Sequence, residues 1–130
     1  MKGTTIVKKQ RPVNLDLTTI SFPAAAISSI LHRISGVIML VAIGLLVWAL
    51  AVSLQSANDF AMVQSLFTGW FAKFIAWGIL TAFSYHLLAG VRHMVMDLGY
   101  WEEIKSGGLS AKLVFVLTVV LSALAGVWLW

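Results

Sequence analysis

Three long apolar runs leave few folds open to this chain. They lie at about residues 27–54, 70–96 and 109–130, through GVIMLVAIGLLVWALAV, WFAKFIAWGILTAFSYHLLAGVRHMVM and LSAKLVFVLTVVLSALAGVWLW. A helix crosses a bilayer in about 20 residues, and each run is long enough. Of the 130 residues, 60% are hydrophobic and only 11% charged, with mean hydropathy +0.94. A soluble domain carries about a quarter charged residues. There is too little polar material here to cover a globule, so lipid is the expected solvent. The expected fold is all-α: an integral membrane domain over 27–130 with three transmembrane helices, preceded by a polar, basic segment over 1–26.

Absences narrow the chemistry. Without cysteine there is no disulfide, thiolate nucleophile, iron–sulfur ligation or Cys-based zinc site. No GxGxxG or GxxxxGK[ST] appears, which removes the usual dinucleotide and P-loop arguments. The opening MKGTTIVKKQRPVNLDL lacks a compact apolar region with a small-residue cleavage site, so it does not read as a signal peptide. QSANDFAMVQS reads as a short polar connection, and DLGYWEEIKSGG as a loop on account of its paired glycines. Aromatic residues Trp70, Tyr100, Trp101, Trp128 and Trp130 fall near span ends, where amphipathic rings prefer to sit.

Basic residues orient the bundle. Lys2, Lys8, Lys9 and Arg11 lie before the first span, and Lys105 and Lys112 beside the second loop with Arg92 just inside the helix; the first loop offers only Lys73. The positive-inside rule then puts the N-terminus and second loop in the cytoplasm and the C-terminus on the far side.

Against that apolar background the ionisable residues stand out, because they are costly in a bilayer and usually functional there. His86 falls near the midplane of the second span, and His93 follows seven residues on, on nearly the same helical face. Gly90, four residues after His86, removes bulk beside the imidazole and could make room for a large planar ligand or a packed helix. On the first span Ser29, His32 and Arg33 are helical neighbours, with Gly36 continuing the Ser29–Arg33 side. The trio lies in the cytoplasmic half of the membrane, Arg92 and His93 approach the same leaflet from the second span, and that asymmetry argues for a site. Taken singly, His86 fits a buried hydrogen-bonded histidine as well as a ligand, and Arg33 and Arg92 fit snorkelling side chains. A neutral imidazole at the midplane is a good haem ligand. His86 and His93 cannot share one iron, however, because they are about 10 Å apart along the helix axis. One axial ligand from this chain is the simplest arrangement.

RPVNLDL, SSILHRISG and HLLAGVRHMVMDLGY together resemble the cytochrome b556 membrane-anchor family of bacterial succinate dehydrogenases. The likeness covers almost the whole chain, and the combination RP…SxxHRxSG…HxxxGxRHxxxD is specific. It implies a four-subunit complex in the bacterial inner membrane, with a flavoprotein, an iron–sulfur subunit, and two anchors sharing one haem b and a ubiquinone site. This chain would be the larger anchor, half of a heterodimeric haem-binding bundle, and no nucleic acid is a partner. By resemblance His86 is the axial ligand and the small hydrophobic anchor supplies the other. Ser29 and Arg33 line the quinone pocket, and His32 lies beside the haem propionates, which Arg33 also reaches. Arg92 and His93 are assigned to propionate or iron–sulfur-subunit contact. The competing readings are a proton or ion transporter with a His86–His93 relay, a bare anchor without haem, and a fumarate reductase anchor. No acidic residue lies at depth in the second span, which weighs against the transporter.

Overall fold

A computed structural model describes residues 16–130, so the tail cations Lys2, Lys8, Lys9 and Arg11 and most of the RPVNLDL motif lie outside the described residues. A 3-10 turn at Leu17–Thr19 is followed by four helices: α1 (Ala24–Ser53), α2 (Ala57–Thr68), α3 (Trp70–Asp97) and α4 (Ile104–Leu129). No strand occurs among the described residues. Helices α1, α3 and α4 are each long and apolar enough to span a membrane. Lipid offers the backbone no hydrogen-bond partners, and a helix satisfies them internally.

Local chemistry sets the ends. Pro23 cannot extend a helix backwards, and its carbonyl accepts from the amides of Ala26 and Ile27 at 2.9 and 3.2 Å to open α1. α3 stops at Gly99, whose φ of +87° is a left-handed conformation that glycine adopts freely. There the Gly99 amide bonds the Met96 carbonyl at 2.8 Å and the Tyr100 amide bonds the Val95 carbonyl at 3.3 Å, a Schellman ending.

Two connections differ from the sequence expectation. The segment after the first span is not a plain polar link but contains the twelve-residue α2. Ser56 caps it by accepting from the Asp59 amide at 3.1 Å while its hydroxyl meets the Asp59 carboxylate at 2.5 Å. Ser56 is thus a side-chain N-cap, held in place by the aspartate at the third helical position. Likewise α4 starts at Ile104, so Gly107 and Gly108 are helical rather than loop residues. A Cβ at Gly107 would stand 2.8 Å from the Trp101 carbonyl oxygen, so this glycine permits close backbone approach rather than a turn.

The three spanning helices alternate in direction. Gly90 lies against His32 and His86 against Gly36, so α3 runs antiparallel to α1. Trp77 and Thr81 reach Ser122 while Arg92 reaches Gly107 and Ser110, so α4 runs antiparallel to α3. Tyr85 links all three: its hydroxyl donates to the Ser28 carbonyl at 2.8 Å, and its ring stacks on Phe115 at 5.8 Å. The buried core is thin, centred on Tyr85, Ala89 and Val114. Large apolar side chains such as Leu40, Val41, Val119 and Val127 remain exposed around it. Surfaces of that kind require lipid or apolar partners, and the chain is a multi-pass membrane protein.

Candidate functional site

Between α1 and α3, at the end where α1 begins and α3 finishes, opens a cleft of about 590 Å³ lined by Ser29, His32, Arg33, His86, Gly90, His93, Met94 and Asp97. Five of the six sequence candidates therefore share one cleft: Ser29, His32, Arg33, His86 and His93. The sixth, Arg92, faces the other way.

The cleft holds a column of three imidazoles. His32, from α1, lies between the two histidines of α3, with ring centroids 4.2 Å from His86 and 5.0 Å from His93. The His32 and His86 rings stack, only 17° from parallel. Two glycines make this possible. A Cβ at Gly36 on α1 would stand 3.3 Å from His86 Cε1, and one at Gly90 on α3 would stand 3.4 Å from His32 Nε2. Each helix thus gives up a side chain to seat the other helix's imidazole. The space beside Gly90 is occupied by His32 rather than left open.

His86 is anchored through one nitrogen. Its Nδ1 lies 3.0 Å from Ser35 Oγ and 3.2 Å from the His32 carbonyl. Ser35 donates its own hydroxyl hydrogen to that carbonyl at 2.8 Å. His32 Nε2 is buried with no hydrogen-bond partner. An orphaned buried nitrogen is costly unless something in the working protein meets it. At the mouth, Ser29 is half-buried and the Arg33 guanidinium is exposed, which leaves both free to meet a guest.

Arg92 is buried, 3% exposed, and donates from Nε to Ser110 Oγ at 2.9 Å and from a terminal nitrogen to the Gly107 carbonyl at 3.0 Å. It ties the end of α3 to the first turns of α4. Ser35 carried no role in the sequence reading. Its signal was its position, three residues after His32 within SSILHRISG.

The match to the succinate dehydrogenase/fumarate reductase transmembrane subunit family extends over residues 7–125, all of α1 through α3 and the cleft included. This chain belongs to that family. It is 45% identical over 123 residues to the succinate dehydrogenase cytochrome b556 subunit of Coxiella burnetii, covering 93% of this chain and 98% of the relative. The Paracoccus denitrificans subunit of the same name is 36% identical over 114 residues, 88% of each chain. The succinate dehydrogenase cytochrome b560 subunit of Reclinomonas americana is 27% identical over 129 residues, 92% of this chain and 90% of its own. As a member of the succinate dehydrogenase/fumarate reductase family the chain is a transmembrane subunit of a larger enzyme, and its cleft lies wholly within the shared region.

Proposed function

We propose that this chain is the larger membrane anchor of a succinate:ubiquinone oxidoreductase, with His86 one axial ligand of a shared haem b and Ser29 and Arg33 at the ubiquinone pocket. The observation that carries the reading is the state of His86. Its Nδ1 lies within hydrogen-bond distance of Ser35 Oγ and the His32 carbonyl oxygen on α1, while no hydrogen bond holds Nε2 among the described residues. A histidine that ligates iron through one ring nitrogen characteristically donates its other N–H to a carbonyl or similar acceptor, which fixes tautomer and orientation. The residues present fit the group. The relatives' printed name, cytochrome b556 subunit, supports haem b, and their designation as succinate dehydrogenase favours succinate oxidation over fumarate reduction.

The same geometry argues for a second anchor. His32 and His86 meet face to face, so their ring nitrogens do not converge on one point between them. A second ligand would then come from a partner chain, the small hydrophobic anchor. The flavoprotein and iron–sulfur subunits complete the complex on the cytoplasmic side, to which the basic residues orient the N-terminus.

Haem b when bound supplies a one-electron carrier held within the membrane. This chain's residues handle charge and position around it. Ubiquinone becomes quinol by taking two electrons from the iron–sulfur side and two protons. The Ser29 hydroxyl donates a hydrogen bond to a quinone carbonyl, and the Arg33 guanidinium stabilises the negative charge that develops on the reduced oxygen. Haem propionates are anionic; Arg33 is a cationic partner for them, and His32 and His93 supply ring N–H donors in the same cleft.

A dithionite-reduced minus oxidised spectrum of the assembled complex tests the reading. Wild type shows a b-type signal that His86→Ala loses or alters, and Ser29→Ala and Arg33→Ala lower quinone reduction with succinate oxidation by artificial acceptors retained. An unchanged haem signal in His86→Ala refutes the ligand assignment.

A further inference from the structure

We infer that Ser35 is a positioning residue for His86, holding it in the Nδ1-protonated tautomer and setting the basicity of its Nε2. The inference rests on the haem reading above and concerns a residue to which that reading gives no task.

Donor arithmetic carries the argument. A serine hydroxyl has one hydrogen. Ser35 spends it on the His32 carbonyl at 2.8 Å, within its own helix, so toward His86 Nδ1 at 3.0 Å its oxygen can only accept. The second neighbour of Nδ1, the His32 carbonyl at 3.2 Å, can only accept as well. With acceptors on both contacts, Nδ1 must carry the proton. If the hydroxyl instead donated to Nδ1, the His32 carbonyl would face a nitrogen lone pair across 3.2 Å, with nothing between to offset the repulsion. The lone pair of His86 therefore sits on Nε2, on the side away from Ser35.

Burial makes this arrangement effective. Ser35 is 4% exposed, so water cannot stand in for its hydroxyl. His32 stacks on one face of the ring, and Gly36 lies close enough to Cε1 that a Cβ there would stand 3.3 Å away, so the ring is held beside Ser35. An N–H donated to a good acceptor makes an imidazole a more basic ligand, and a more basic ligand favours the oxidised metal. Ser35 thus holds the haem potential lower than the His32 carbonyl would hold it alone.

The test compares the purified complex of wild type, Ser35→Ala, Ser35→Thr and Ser28→Ala by redox titration of the haem and by electron paramagnetic resonance of the oxidised low-spin iron. Ser28 is a second fully buried serine of α1, bonded to Tyr85 rather than to a histidine. Ser35→Ala is expected to move the midpoint potential upward and to shift the g-values, Ser35→Thr to return both toward wild type, and Ser28→Ala to change neither. If Ser35→Ala fails to retain haem, retention in Ser35→Thr supports the assignment and loss in both overturns it. Wild-type potential and g-values in Ser35→Ala, with the b-type signal lost in His86→Ala, overturn this inference alone. An undiminished signal in His86→Ala overturns the haem reading and this inference with it.

Discussion

Alanine at position 36 tests the reciprocal seating of the two helices. Its methyl would stand 3.3 Å from His86 Cε1. Carbon atoms pack best at about 3.5–4.0 Å, so ring or helix must yield by roughly 0.2–0.7 Å. The ring can only move away from α1, which stretches Nδ1 contacts of 3.0 and 3.2 Å toward distances where they no longer count as hydrogen bonds. Overpacking of this kind costs about 1–3 kcal/mol. Replacing a helical glycine by alanine returns about 1 kcal/mol. The net is a loss of about 0–2 kcal/mol, small enough that the complex still assembles, while the histidine is displaced. Gly44, on the same helix with nothing within 4 Å of a built Cβ, is the control. The assay is haem per complex by pyridine haemochrome, read beside the thermal midpoint. Gly36→Ala should lose haem and gain no stability, and Gly44→Ala should keep its haem and gain a little. Full haem and equal stabilisation in both would refute the seating argument.

The glycine pair at the start of α4 offers a sharper contrast. Gly107→Ala drives a methyl to 2.8 Å from the Trp101 carbonyl and should lower the thermal midpoint by the equivalent of about 1–3 kcal/mol, whereas Gly108→Ala, with open space around it, should not. Tyr85→Phe removes the donor to the buried Ser28 carbonyl and hydroxyl, and thermal unfolding should show a loss of about 0.6–1.7 kcal/mol, the range for hydrogen bonds between membrane helices. Outside the membrane, hydrogen bonds from Thr18 hold the exposed Asp16 carboxyl below its ordinary pKa. A depressed carboxylate pKa means the turn at Leu17–Thr19 is supported above the usual carboxylate range and loses that support as pH falls through the lowered value. The protection factor of the Thr18 amide, its exchange measured against the intrinsic rate at the same pH, should fall on acidification, and should not in Asp16→Asn.

The spans were legible because hydropathy over about 20 residues is a strong signal and lipid permits little but helix. α2 was not, because at twelve residues it is too short to span a bilayer, and its polar residues Asn58, Asp59, Gln64 and Ser65 gave it the look of a connection. Its capping pair Ser56 and Asp59 was nonetheless in plain view. Gly107 and Gly108 suggested a turn by composition, while the cause of Gly107 is a contact with Trp101 that no local pattern reports. For the site, residue type and depth were enough to gather Ser29, His32, Arg33, His86 and His93. They could not say that Arg92 turns toward α4, because a single helix does not reveal which neighbour occupies each face. Nor could they reveal the task of Ser35, which depends on where one hydroxyl hydrogen goes.

The polar contacts along α3 are unevenly shared between its two neighbours. Toward α4, Trp77 and Thr81 hold Ser122 at one end and Arg92 holds Ser110 and Gly107 at the other, with Tyr85 on Phe115 between them. Sliding α4 by one helical turn, about 5.4 Å, would break every one of these together. That seam is bolted at both ends. Toward α1, the cross-helix hydrogen bonds among the described residues involve Tyr85 and His86, whose partners Ser28, His32 and Ser35 all precede Ala42, and beyond them that helix presents apolar side chains. The polar seam between α3 and α4 is therefore pinned along its length, whereas that between α1 and α3 is pinned at the cleft end, and the other end of α1 is held by apolar packing and by its short link into α2. Whatever fills the cleft bears directly on the polar contacts that join α1 to α3.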